Sequence, residues 1–205
     1  MLGAMVARPP PRAGGGSARS GRDFATTAGP ALLAVVSDTA GAAAAVDAGA
    51  DLLDLPEAGP DLIGAVQARF PGVLVCGAVP PADIVRDEAT ARATGARLIC
   101  AGPGAARASA LPAGRLLVSV PPQLVRQAAQ AGWTALVDVD RAAEGPPGRD
   151  ETEQEAGIAA LAALGSWLGA GVVRTRHPAP VRRALDMAAS IRGLRPPART
   201  VRGLA

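Results

Sequence analysis

Short apolar runs recur along this chain at a nearly constant step of about twenty residues, the length of one strand plus one crossover helix. They occupy residues 32–36, 52–55, 73–76, 97–100, 116–120, 135–139 and 172–175. The segments between them predict helices, among them 40–48, 61–69, 82–94 and 151–168. Gly49, Gly72, Gly95, Gly132 and Gly171 each stand just before a strand, where a helix can end in a left-handed cap. Repeated right-handed βα units of this length close into a parallel barrel or lie open as a doubly wound sheet. The runs are rich in Leu and Val with little alternation, the pattern of a parallel sheet covered by helices. Seven such strands, without a glycine-rich nucleotide fingerprint after the first, favour the barrel. The interval between Val139 and Val172 is longer than the rest and holds a polar loop at 141–150 and one helix. The expected fold is therefore a TIM-barrel-like parallel (βα) barrel, seven-stranded or incomplete, with one strand of the usual eight missing from that interval.

The chain's 205 residues suffice for one domain with a substantial core. Pro9-Pro10-Pro11 and Gly14-Gly15-Gly16-Ser17 mark residues 1–28 as a disordered basic tail, and Arg195-Pro196-Pro197 with Arg199 mark 194–205 as an irregular basic C-terminal tail, leaving 29–193 for the barrel. Apolar residues are 49% of the chain and aromatics only 2%, so helices must meet the sheet closely through Ala, Val and Leu. Every cationic residue is arginine, and lysine, asparagine and tyrosine are all missing. That removes lysine Schiff-base and lysine phosphate-clamp chemistry. The net charge of +3 comes from the ends, since Arg8, Arg12, Arg19 and Arg22 precede the first acidic residue and eight arginines follow Val173. A middle that is acidic or near neutral, in a chain whose only aromatics are Phe24, Phe70, Trp133 and Trp167, argues against a nucleic-acid binder. Cys76 and Cys100 each close an expected inner strand and read as small buried hydrophobes in a reducing cytoplasm. No run of about 18 apolar residues predicts a membrane span, and residues 1–28 hold no continuous apolar segment of a secretory signal. The expected location is cytoplasmic.

In a parallel barrel the ligand site lies at the C-terminal ends of the strands, so the residues that follow each apolar run are the candidates. They are Ser37 and Asp38, Asp54 and Glu57, Gly77, Cys100, Ser119, Asp138 and Asp140, then Arg174, Arg176 and His177. The last group is the densest, because residues 171–177 pass from an apolar strand into a cationic cluster and on into a helix. Carboxylates facing two arginines would suit a ligand with a polar heterocycle and an anionic group, the planar guanidinium fork being able to pair two oxygens at once. Plainer roles stand beside these. Asp54 and Asp138 can equally cap neighbouring helices, and His177, ahead of Pro178, can simply begin the last helix. Arg182 and Arg183 read as solvated, and Glu151, Glu153 and Glu155 as first-turn partners of a helix dipole. A lone histidine supports no metal site.

From Ala31 to Arg192 these residues resemble the dihydropteroate synthase family, the pterin-binding barrels of folate synthesis. Ala31-Leu32-Leu33-Ala34-Val35-Val36-Ser37-Asp38 is similar to the family's first-strand motif ending Asn-Val-Thr-Pro-Asp, and Ala48-Gly49-Ala50-Asp51-Leu52-Leu53-Asp54 to its Gly-Ala-x-Ile-Ile-Asp. Residues 169–191 resemble its final strand and helix, where Arg-Val-His precedes the helix. The resemblance places Asp138 at the family's pterin-binding aspartate and Arg174 at its anion-binding arginine, with Asp38 and Asp54 also matching. It implies substrate binding by Asp38, Asp54, Asp138, Arg174 and Arg176, expected to point into one cavity, and Mg²⁺ as cofactor if the family's activity is retained. Against it, Ala34 and Cys100 stand where the family has asparagines, Gly77 where it has an aspartate, and Arg176 where it has a histidine. The family's seventh-strand lysine has no counterpart.

The expectation is a pterin-binding barrel that is catalytically degenerate, with a binding or regulatory role toward a small anionic or pterin-like molecule. The alternatives are an active synthase joining hydroxymethyl-dihydropterin diphosphate to p-aminobenzoate, and a different barrel enzyme using Arg174 and Arg176 on an anionic metabolite. A homodimer, or association with another protein that supplies the missing strand, is left open.

Overall fold

The computed structural model describes residues 29–144 and 150–194. The expected tails therefore lie outside the described residues, apart from Leu194, as do residues 145–149 of the polar loop. In chain order the elements are β1 (Ala31–Val35), α1 (Thr39–Asp47), β2 (Leu52–Leu55), α2 (Pro60–Arg69), β3 (Leu74–Gly77), β4 (Ile84–Val85), α3 (Glu88–Thr94), β5 (Leu98–Ala101), α4 (Pro103–Ala108), β6 (Leu116–Ser119), α5 (Val125–Gln130), β7 (Thr134–Asp138), α6 (Val139–Ala142), α7 (Glu151–Leu168), β8 (Val172–Thr175) and α8 (Pro178–Ile191). All eight strands are parallel and close into a barrel in sequence order, with β8 returning to β1 through Leu32 opposite Val173.

The barrel is the expected one, and its strand count is eight rather than seven. The long interval after Asp138 adds no strand among the described residues: β7 pairs directly with β8, Val137 opposite Val173 and Asp138 opposite Arg174. The eighth strand is instead Ile84–Val85, inside the segment expected as a helix over 82–94. Ile84 pairs with Cys76 on one side and Leu98 on the other. Helix α3 starts only at Glu88, because Asp87 caps it by accepting from the Thr90 amide at 2.7 Å. Asp83 ties the short strand down. Its carboxylate accepts from the Val75 amide and Gln67 Nε2, and its carbonyl from the Arg97 and Leu98 amides.

Because successive strand residues face opposite ways, each strand contributes one set to the barrel interior and one to the surrounding helices. The interior set includes Leu33, Leu52, Ile84, Leu98, Leu117, Leu136 and Val172. The outer set, among them Leu53, Leu55, Val85, Ile99, Val118, Val137 and Val173, packs on the alanine faces of the helices. Both faces are apolar, which explains why the strands read without alternation.

Two glycines show how tight the helix–sheet contact is. Gly49 has φ +92°, and a Cβ there would meet Arg182 Cδ at 3.0 Å. Arg182 is not the solvated residue expected: its stem lies on Gly49, and its guanidinium pairs with Asp51 at 3.3 Å and Asp186 at 3.1 Å. At Gly77 a Cβ would point toward α2 and meet Ile63 Cδ1 at 2.8 Å. Of the expected left-handed caps, Gly49, Gly95 and Gly132 have positive φ, whereas Gly72 and Gly171 do not, and α7 ends at Gly169.

Candidate functional site at the barrel mouth

The interior side chains change character at the top of the barrel. Continuing the inward set by one step along the strands gives Asp54 (β2), Cys76 (β3), Arg86 (just past β4), Cys100 (β5), Ser119 (β6), Asp138 (β7) and Arg174 (β8), one ring above the apolar layer. Asp54 is its hub, 1% exposed at the floor of the mouth. Arg174 Nε–H donates to Asp54 Oδ2 at 2.8 Å, and Arg174 Nη1–H donates to Asp138 Oδ2. Arg86 Nη2–H donates to both oxygens of Asp54, at 2.9 and 3.2 Å. Two carboxylates and two guanidiniums thus form one charge-balanced network, the arrangement that lets buried charges survive desolvation. Burial opposes the charge on Arg86 and Arg174, yet Asp54 beside them holds both pKa values above the ordinary arginine range. Burial, and next the Asp54 charge, pushes the Cys76 thiol well above its usual range. Cys100 is raised too, first by burial.

Of the expected binding residues, Asp54, Asp138 and Arg174 are brought together, and Asp38 and Arg176 stand apart. Asp38 caps α1, accepting from the Gly41 amide at 2.7 Å. The exposed Arg176 donates its backbone amide to Asp140 Oδ2 at 2.6 Å, while Thr175 Oγ1 donates to Asp140 Oδ1. Asp140 therefore fixes the turn into α8, and His177 is the N-cap residue of that helix. Ser37, Glu57, Arg176 and His177 line a separate groove of about 900 Å³ beside α1 and α2, to which Asp54 and Arg174 do not contribute. Asp138 serves both roles read for it, since its Oδ1 also accepts from the Arg141 amide at 3.1 Å and caps α6. On β3 the residue facing the mouth is Cys76, whereas Gly77, aligned with a family aspartate, faces α2.

Arg86 is the mouth residue that sequence reasoning missed, because a helix was expected across it. The signal was present: Asp87 followed by Glu88 is a helix start, which leaves Asp83-Ile84-Val85-Arg86 outside the helix. The residues at the mouth do not fit Mg²⁺. The Asp54 and Asp138 carboxylates face arginines, and Ala34 is buried against the helices without an oxygen to offer. Among the described residues no three His, Cys, Asp or Glu side chains converge as metal ligands. No described helix is long and apolar enough to cross a membrane.

No family model matches the chain. The inactive dihydropteroate synthase 2 of Mycobacterium tuberculosis is 36% identical to it over 190 residues, covering 80% of this chain and 59% of that protein. The chain thus spans less than two thirds of the length of that relative. The protein of the same name from Mycobacterium leprae is 48% identical over 54 residues, 26% of this chain and 19% of the relative. Among solved structures, the dihydropteroate synthase of Stenotrophomonas maltophilia with imidazole in its active site superposes with a TM-score of 0.67 at 16% identity, covering 83% of this chain and 96% of the other, a likeness of fold. With the strand motifs in their order and the barrel they build, the chain is similar in sequence to inactive dihydropteroate synthase 2 over 80% of its own length and shares the barrel fold of the solved dihydropteroate synthases.

Proposed function

We propose that this protein is a dihydropteroate synthase-like barrel that holds a small pterin-like or anionic molecule at its strand ends and does not make dihydropteroate. The observation that carries the reading is the network Arg86–Asp54–Arg174–Asp138, in which both arginines already pair with the chain's own carboxylates. The reaction that the resemblance implies must stabilise a departing diphosphate, and each preorganised donor aimed at such a charge commonly contributes a factor of roughly 10² to 10³. Here Arg174 is committed to Asp54 and Asp138, the chain has no lysine, and Ala34, Cys100 and Arg176 replace the family's other polar partners. Asp138 is 19% exposed and still offers acceptor capacity to the N–H groups of a heterocycle. The name of the mycobacterial relatives, inactive dihydropteroate synthase 2, supports the same reading. What remains is binding, in a regulatory or partner role, and the free thiols of Cys76 and Cys100 suit a reducing cytoplasm.

The test is direct. The purified protein with pterin diphosphate, p-aminobenzoate and Mg²⁺ is expected to form no dihydropteroate, and calorimetry with a pterin is expected to show binding that Asp138→Ala weakens. Product formation that disappears in Arg174→Ala would establish an active synthase instead.

A further inference from the structure

The two arginines on Asp54 are not equivalent. Arg174 is 19% exposed and bridges two carboxylates through two of its nitrogens. Arg86 is 40% exposed, and among the described residues its guanidinium bonds Asp54 alone, through Nη2 only. A single nitrogen shared between two oxygens is a poorer match than the parallel two-nitrogen fork that a carboxylate accepts best. Arg86 is also carried by the shortest strand of the barrel, two residues long. Beside it lies a cavity of about 260 Å³, lined also by Glu88, Ala105, Ala108 and Ser109, into which its side chain can withdraw. Asp54, by contrast, is almost wholly buried and is held by Arg174 from the other side.

We propose that Asp54 is a latent binding site for a planar amidine or guanidine group, and that Arg86 is the chain's own displaceable occupant of it. This rests on the reading of the barrel mouth as a ligand site. Charge selects the class of ligand. A cation replacing the Arg86 guanidinium keeps two positive groups against Asp54 and Asp138, whereas an anion entering there must compete with both carboxylates for the arginines. Geometry narrows it further, since two parallel N–H groups can meet both Asp54 oxygens and a simple ammonium cannot. Occupation by Arg86 lowers apparent affinity by the fraction of molecules in which the side chain has left.

The experiment is calorimetric titration of benzamidine and methylguanidine, with benzylamine as the ammonium control at equal ionic strength. Arg86→Ala is expected to bind both planar probes at least about tenfold more tightly than the wild type, the gain for a site that is open no more than about a tenth of the time. The added change Asp54→Asn is expected to abolish the gain, and benzylamine to show none. Equal affinities in wild type and Arg86→Ala, or a gain that survives Asp54→Asn, would overturn the proposal. Arg86→Met, which keeps the apolar stem, guards against a folding defect, and loss of the fold in both variants would make Arg86 a structural strut and sink the idea as well. Pterin binding by the wild type is read separately, so that its failure counts against the proposed function and a missing gain in Arg86→Ala counts against the latent site.

Discussion

Two sectors of the barrel close by opposite means. Around β7 and β8 a long interval of sequence adds no strand among the described residues, and the two strands pair directly beside the 18-residue helix α7. Between β3 and β5 a strand of only two residues completes the barrel, flanked by Asp83 and Asp87. The first sector supplies Arg174 and Asp138, the second supplies Cys76 and Arg86, and Asp54 on β2 is bonded to both. Closure and site are therefore coupled: a barrel keeps its interior filled at eight strands, and the short segment that completes the count also delivers a cation to the mouth.

The sharpest way to break this comparison is to remove the residue that both sectors share. Asp54→Ala leaves two guanidiniums without their buried partner and is expected to cost about 3–5 kcal/mol, read as a drop in the urea midpoint. Asp138→Ala, at a more exposed carboxylate, is expected to cost clearly less. Next come the interior apolar residues. Ile84→Ala in the short strand and Leu136→Ala in β7 both remove side chains at most 1% exposed, and each is expected to cost about 2–5 kcal/mol. A cost under about 1 kcal/mol at Ile84 would show that β4 is a surface connection rather than a wall of the barrel.

A smaller effect separates the two arginines. Arg174→Gln, which breaks contacts with both carboxylates, is expected to lower the midpoint distinctly more than Arg86→Gln, whose exposed side chain forms a screened pair worth about 1 kcal/mol or less. The reverse order would place the weight of the network on the short strand.

The smallest effect is alkaline. Burial and the Asp54 charge raise the Cys76 pKa in the folded state, so the unfolded chain loses this proton first as pH climbs. The stability tied to the neutral thiol is complete below its ordinary value of 9.0 and falls as pH rises from there toward the folded value. Cys76→Ala is expected to flatten the decline of the urea midpoint between pH 8 and 10. An unchanged decline would assign it to other groups, and Cys100→Ala then tests the second raised thiol.

The site was legible only in part. Asp54, Asp138 and Arg174 follow apolar runs, and strand periodicity places such residues at one end of a parallel barrel. Asp38 and Arg176 also follow such runs, but each lies beyond the strand in a turn, where the backbone no longer aims side chains inward and local hydrogen bonds take over. Arg86 was hidden because Ile84-Val85 is too short for a periodic signal and abuts a true helix start.

By itself the sequence determined the parallel (βα) plan, seven of the eight strands and three of the four charged residues at the mouth, because strand spacing and inward alternation are local properties of the chain. Only the tertiary structure decided that Ile84–Val85 completes the barrel's eight strands, that Cys76 rather than Gly77 faces the mouth, and that Arg86 and Arg174 meet on one carboxylate. Those outcomes depend on register between strands far apart in sequence, and on the requirement that a charge buried at the barrel mouth find its partner there.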